Sequence, residues 1–183
     1  MRYSMRESQF QRLERDRVNR AQTAPHQISS AVETSDGHIW FGTRYQGIVR
    51  YDPMHDSYVY YEHSSTDTNT VSASAIRSLE PGQNDSLWVG TFTGGLCRLD
   101  IQSNTWERFS FEFNAVGDPQ GDVVRSILDD DEGNLWIGYE RYGLERMDTQ
   151  TRDRVSYTPR HQVCGFAGCC IRVRSLAAVD LIK

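Results

Sequence analysis

The sequence contains almost no lysine and no long apolar run, and each shortage excludes a class of protein. Lys183 is the only lysine and the formal net charge is -5, so a lysine-rich surface for nucleic acid is not expected. A secretory signal needs an apolar run of about 7–15 residues, and residues 1–27 contain none. Nor is any run long enough for a membrane-spanning helix. The chain as written thus predicts no nucleic-acid partner, no membrane span and, without an export signal, a cytoplasmic location.

The four cysteines are distributed unevenly along the chain. Cys97 stands alone, whereas Cys164, Cys169 and Cys170 share a short segment with His161. Those four side chains have the donor atoms of a zinc site, but adjacent cysteines rarely share a tetrahedral ion and the spacing matches no common site. A disulfide, free thiols, or a segment foreign to the pattern of the chain are the alternatives. We therefore predict no metal and no cofactor.

A motif of tryptophan followed two residues later by glycine recurs every 48 residues. Its tryptophans are Trp40, Trp88 and Trp136. Seven residues after each tryptophan comes a glycine, and twelve residues before it comes an isoleucine or valine. A fixed period of this length is typical of repeat architectures. We expect the three tryptophans to be buried in equivalent places, because a position repeated in every unit usually serves packing.

Each copy is predicted to form four short strands. In the first copy these are Ile28–Glu33, a strand through Trp40, Gly47–Asp52 and Ser57–Glu62. Gly37 and Gly133 suit the positive φ of the first hairpin turn, and Asn84-Asp85 adopts it at some cost. Four strands in about 48 residues, without helical periodicity, are typical of a propeller blade. The predicted fold class is all-β, a partial β-propeller.

The period also predicts the domain organisation. Residues 1–27 would be the end of a preceding blade, three blades would occupy 28–75, 76–123 and 124–170, and 171–183 would begin a truncated blade. A closed ring usually takes about 4–8 blades. We therefore interpret the chain as a fragment of a longer propeller, with incomplete blades at both ends.

One motif resembles a known family. The nine residues Asp130–Gly138 read Asp-x-x-Gly-x-Leu-Trp-Ile-Gly and continue to Gly143-Leu144. This is similar to the two-component-regulator propeller repeat, over about Phe10 to Tyr157. Such repeats occur in extracytoplasmic sensor regions of bacterial hybrid histidine kinases and some diguanylate cyclases. The resemblance implies a non-catalytic, ligand-sensing segment of a signal-transduction receptor, periplasmic, with other blades or domains of that receptor as partners.

The copies differ most between the second and third strands. Antiparallel strands place that loop at the same end of the ring as the connection between blades. The varying side chains suit a small polar ligand such as a saccharide or a peptide, although solvated loops also vary without selection. The candidate ligand-binding residues are Arg44, Tyr45, Gln46, Phe92, Thr93, Glu140, Arg141 and Tyr142.

Catalysis is a weaker interpretation of the same fold. Asp131-x-Gly133-x-x-Trp136 resembles the Asp-box of sialidase-like propellers, which is a structural turn in those enzymes. A glycosidase needs two carboxyl groups about 5–9 Å apart, and acids such as Asp129–Asp131 are explained as solvated turn residues. We assign no catalytic residue. A lyase or glycosidase and a scaffold for protein–protein interaction, as in WD-repeat proteins, stay open as alternatives.

Overall fold

The computed structural model describes residues 25–109 and 123–157, and every regular element in these ranges is a β-strand. The strands form three groups of four. The first group is β1 (Ile28–Glu33), β2 (Ile39–Thr43), β3 (Ile48–Asp52) and β4 (Ser57–Tyr61). The second is β5 (Ile76–Gly82), β6 (Ser86–Thr91), β7 (Leu96–Asp100) and β8 (Thr105–Phe109). The third is β9 (Val124–Asp129), β10 (Asn134–Tyr139), β11 (Gly143–Asp148) and β12 (Arg154–Tyr157).

Each group is one antiparallel sheet whose strands pair in sequence order, as in a propeller blade. The blades contact each other mainly through their first strands, β1 with β5 and β5 with β9. The first strands therefore lie nearest the axis, and the fourth strands lie at the outside. The three described blades do not close into a ring, which confirms the predicted partial propeller.

The first hairpin turn of each blade has the predicted backbone. Gly37 and Gly133 have φ values of 79° and 93°, and Asn84 and Asp85 have 56° and 52°. Only glycine adopts such angles without steric cost, and asparagine and aspartate tolerate them best among the others. The middle blade thus reaches the left-handed region without a glycine, in a shorter turn between β5 and β6.

The core lies between blades, and two of the three repeated tryptophans fill it. Trp40 is 0% exposed and packs against Ile76 and Leu79 of the second blade. Trp88 is 2% exposed and occupies the corresponding place between the second and third blades. Trp136 is only partly buried, contrary to the expectation of full burial. The described residues contain no fourth sheet to cover the outer face of the third blade.

The glycine of the tryptophan motif is required by the close approach of the next blade. A Cβ atom on Gly42 would lie 2.6 Å from Cγ2 of Ile76, and one on Gly90 would lie 2.6 Å from Cγ1 of Val124. Carbon atoms do not approach so closely without a shift of one of them. The motif therefore combines a large tryptophan side chain with a glycine that has no side chain, and both residues contribute to the contact between blades.

Replacing Gly42 with alanine is expected to lower the free energy of unfolding by about 1–2 kcal/mol, because the new methyl group overpacks this contact. Combining it with Ile76→Ala, which removes the clashing Cγ2, should cost less than the sum of the two single losses. Urea denaturation of the four proteins in this cycle measures the coupling. Strictly additive losses would show that the methyl group on Gly42 does not meet Ile76.

Several predictions fall outside the described residues. These are the preceding blade's end, apart from residues 25–27, the truncated blade from 171, and the segment containing His161, Cys164, Cys169 and Cys170. Within residues 25–109 and 123–157 no group of His, Cys, Asp and Glu is arranged to hold a metal ion. The same residues include no helix that is long and apolar enough to cross a membrane.

Candidate functional site

The loops between the second and third strands of the blades all lie at the end where the first strands begin. In each blade the first residue of this loop donates its backbone N–H to the carbonyl just before the first strand. The bonded pairs are Arg44 with Gln27 at 3.1 Å, Phe92 with Ala75 at 2.9 Å, and Glu140 with Val123 at 3.0 Å. The three loops, hereafter the axial loops, are therefore anchored in the same way beside the innermost strands.

A threonine shapes the first two axial loops. The hydroxyl of Thr43 donates to the carbonyl of Gly47 at 2.9 Å and accepts the N–H of Gln46 at 2.8 Å. The equivalent threonine of the second blade makes the corresponding pair of bonds. In the third blade Tyr139 stands in this place, and its hydroxyl donates to the buried Glu145 at 2.7 Å. The third axial loop is thus closed by a different contact.

The structure brings all eight predicted site residues to these loops, but their side chains differ in access. The exposed ones are Arg44, Tyr45, Thr93, Glu140 and Arg141, and the partly buried ones are Gln46, Phe92 and Tyr142. Tyr45 has 70% of its surface exposed. An aromatic ring, guanidinium groups and a carboxylate are therefore presented at one end of the blades.

Two further arginines belong to this end and were missed by sequence reasoning. The register between the first and second strands shifts by one residue in each blade, which places Ser29, Arg77 and Arg125 in β-bulges. A bulge leaves the extra residue outside the ladder and redirects its side chain. The signal that could have found them is the recurrence of arginine in Ile76-Arg77-Ser78 and Val124-Arg125-Ser126.

Arg77 lies in an unusual electrostatic environment. Its guanidinium carbon is 4.6 Å from the centroid of the Phe92 ring, a distance typical of a cation–π contact. Burial lowers the pKa of Arg77, and the positive charges of Arg125 and Arg44 lower it further, whereas Glu140 raises it. Arg125 itself pairs with Glu140, with 2.5 Å between Nη2 and Oε1.

The opposite end of the first blade carries histidine and aspartate pairs in its tight turns. His38 contacts Asp36 at 2.7 Å, and His55 contacts Asp52 at 2.6 Å. The hydrogen bond from His55 lowers the pKa of Asp52 to about 2. These contacts close the hairpin turns on themselves, as expected for turn residues.

A partly buried pair of carboxyl groups lies between the second and third blades. Glu80 accepts the backbone N–H of Asp129 at 3.4 Å. Burial raises the pKa of Glu80 to about 7, and the charges of Asp129 and Asp131 add to the effect. Burial also raises the pKa of Asp129, so Asp129 is less solvated than its turn position suggests. The side chains of Glu80 and Asp129 are both partly buried where the two blades pack together.

The model of the two component regulator propeller family matches residues 24–45 and 118–141. Both segments include the first strand of a blade, the first turn and the second strand with its tryptophan. The chain carries two-component regulator propeller repeats. In the middle blade, Pro81-Gly82-Gln83 replaces the acidic run of the motif, and the matched segments do not include it.

Solved structures share the propeller architecture of these repeats. The extracellular domain assigned to the hybrid two component system BT3049 from B. thetaiotaomicron is 16% identical, with a TM-score of 0.67, over 79% of this chain and 20% of that one. The extracellular domain assigned to the one component system BT4673 of the same organism is 24% identical, with a TM-score of 0.60, over 72% of this chain and 17% of that one. The chain thus spans about a fifth of their length.

A propeller enzyme is also similar in fold. Virginiamycin B lyase from Staphylococcus aureus is 12% identical, with a TM-score of 0.57, over 78% of this chain and 45% of the lyase. An identity this low shows a common architecture and no common activity, because one fold hosts many functions. None of the curated proteins is significantly similar to the chain.

Proposed function

We propose that this two-component regulator propeller is the ligand-sensing part of a bacterial signal-transduction receptor and that it performs no catalysis itself. It would lie in the periplasm as part of a membrane receptor and bind a small polar ligand, such as a saccharide or a peptide, at the axial loops. Any kinase or cyclase activity would belong to another domain of that receptor. The family match and the sensor context of the similar extracellular domains support this proposal.

The observation that carries the proposal is the contrast between the backbone and the side chains of the axial loops. The backbone bond to the start of the first strand is the same in all three blades. The side chains differ, with Arg44-Tyr45, Phe92-Thr93 and Glu140-Arg141 in equivalent places. A rigid frame that presents different side chains at one end is the usual design of a binding surface.

A ligand at this end would touch more than one blade. Each axial loop is bonded to the residue that precedes an innermost strand, and the innermost strands of neighbouring blades pack against each other. A ligand that bridges two loops would therefore favour one relative position of two blades. Such a difference in affinity between two arrangements is what converts binding into a signal.

Alanine substitution of Tyr45, Arg141 or Tyr142 in the full-length receptor is expected to raise the ligand concentration needed for half-maximal output by at least about tenfold, through loss of direct contacts. A reporter gene measured against a panel of saccharides and peptides gives the response. Met54→Ala, in the exposed turn at the opposite end, is the control and should respond as the wild type. The opposite result, with the Met54 variant impaired and the loop variants normal, would contradict the proposal and place the ligand at the end of the blades opposite the axial loops.

A further inference from the structure

We propose that the axial end of the second and third blades binds an oxyanion, the carboxylate or sulfate group of a small ligand, through Arg77 and Arg125. This inference rests on the proposed function, because it names the chemistry of the ligand that the axial loops would recognise. It adds two residues of the first strands to a site otherwise composed of loops.

The β-bulges place the two arginines at equivalent positions of adjacent innermost strands. In the first blade the same position is Ser29, and its hydroxyl donates to the carbonyl of Ile76 at 2.7 Å. That contact joins the first blade to the second, so Ser29 stabilises the packing of these two blades. In the next two blades the same position is an arginine, and the strands that carry Arg77 and Arg125, β5 and β9, pack directly against each other. The bulge that supports packing in one blade presents a cation in the next two.

The two guanidinium groups have more donors than the protein satisfies. A guanidinium carries five N–H donors in a planar fork that matches an oxyanion. Phe92 covers one face of Arg77, and within the described part of the chain the buried Nε of Arg77 has no acceptor. Arg125 is exposed and pairs with Glu140. Among the described residues, the Nε edge of Arg77 therefore lacks a hydrogen-bond acceptor.

The charges at this end favour an anion. Arg44 and Arg125 repel the Arg77 guanidinium, and Glu140 is the carboxylate that offsets them. This surplus of positive charge occurs in a chain whose net charge is -5. An oxyanion between the two arginines would relieve the repulsion and make charge-assisted hydrogen bonds, which are about twice as strong as neutral ones. The oxyanion would also compete with Glu140, a residue of the third axial loop, for the guanidinium group of Arg125.

Titration of the 183-residue chain with glucuronate tests the inference, with glucose as the neutral counterpart and sodium sulfate as competitor. Ligand-observed NMR should detect glucuronate far more strongly than glucose. Arg77→Gln and Arg125→Gln should each weaken glucuronate binding by at least about tenfold. Arg77→Lys, which keeps the charge and loses the planar fork, should fall between Arg77→Gln and the wild type. Displacement by sulfate would show that any oxyanion suffices, whereas glucuronate binding that sulfate leaves unchanged would assign the site to a carboxylate.

The matched control is Arg152→Gln. Arg152 also lies 4.6 Å from a phenylalanine ring, that of Phe109, and pairs with Glu107 at 2.7 Å, but it belongs to the turn between β11 and β12. This variant should bind glucuronate as the wild type does, and near-ultraviolet circular dichroism verifies the fold of every variant.

Two results would overturn the inference. One is the absence of glucuronate binding, and the other is equal binding by folded Arg77→Gln and the wild type. If glucose binds equally well and Tyr45→Ala removes that binding, the proposed ligand site stands and only its anionic character fails.

Discussion

Replacing Trp88 with alanine is expected to lower the free energy of unfolding by about 3–5 kcal/mol, the usual cost of removing a large buried ring. The side chain is 2% exposed and its ring centroid lies 5.3 Å from that of Phe109. It also packs with Val124 and Ile127 of the third blade. The substitution therefore opens a cavity between two blades, and neither blade can collapse into it without moving the other.

Trp136→Ala is the matched control, because this tryptophan has the same place in its blade but is only partly buried. Its ring stacks on Tyr157 at 5.8 Å between centroids and lacks a described blade on its outer side. We expect a loss of about half that of Trp88→Ala. Urea denaturation followed by far-ultraviolet circular dichroism measures both losses, since this signal does not depend on tryptophan. Equal losses would contradict packing between blades as the role of the repeated tryptophan.

The architecture could be predicted from the sequence because the same pattern of residues occurs in three copies. A period of 48 residues, a glycine or asparagine at each first turn and a tryptophan in each second strand all indicate the same four-stranded unit. The agreement between copies removes the ambiguity that a single short strand would leave. Burial of Trp136 was overestimated for a related reason: the sequence shows that positions are equivalent, but burial depends on what covers each of them.

The contacts that hold the tryptophans could not be predicted in the same way. The indole N–H donates to Thr34 in the first blade and to Asp130 in the third, at 3.0 and 3.1 Å. The middle blade has Gly82 in this place, and a Cβ atom there would lie 2.7 Å from the indole nitrogen of Trp88. Trp88 is instead bonded to the carboxylate of Asp129, in the next blade. Such an exchange of partners between blades depends on geometry that one copy of the repeat does not reveal.

The candidate site was only partly predictable. The axial loops followed from strand direction, so Tyr45, Glu140 and Arg141 could be named. Arg77 and Arg125 could not, because the position of a bulge depends on the register between two strands and not on the residues of either one alone. The unusual environment of Glu80 could have been inferred from the sequence. The same position of the repeat is Val32 in the first blade and Leu128 in the third, so a carboxylate occupies a place where the other copies have an apolar side chain.

Glu80 should make the protein less stable as the pH rises from about 4.5 to about 7. Burial between two blades raises the pKa of its carboxyl group from 4.5 to about 7, and the charges of Asp129 and Asp131 contribute. In that range the folded protein binds a proton that the unfolded chain has released, so the stabilisation present at lower pH is lost as the pH increases. The burial penalty on Asp129, whose pKa is also raised, acts in the same direction.

Glu80→Gln is expected to be more stable than the wild type at pH 8, by up to about 3 kcal/mol, since each unit of pKa corresponds to about 1.4 kcal/mol. The amide has the shape of the protonated acid and still accepts the N–H of Asp129, but it carries no charge to be desolvated. At pH 4.5 the two proteins should differ little, because the acid is protonated there. Thermal unfolding across this pH range measures the difference. Glu132→Gln, on the exposed turn beside the pair, should leave the pH dependence of the wild type unchanged, and a similar flattening by that variant would show that general charge reduction, rather than burial of Glu80, is the cause.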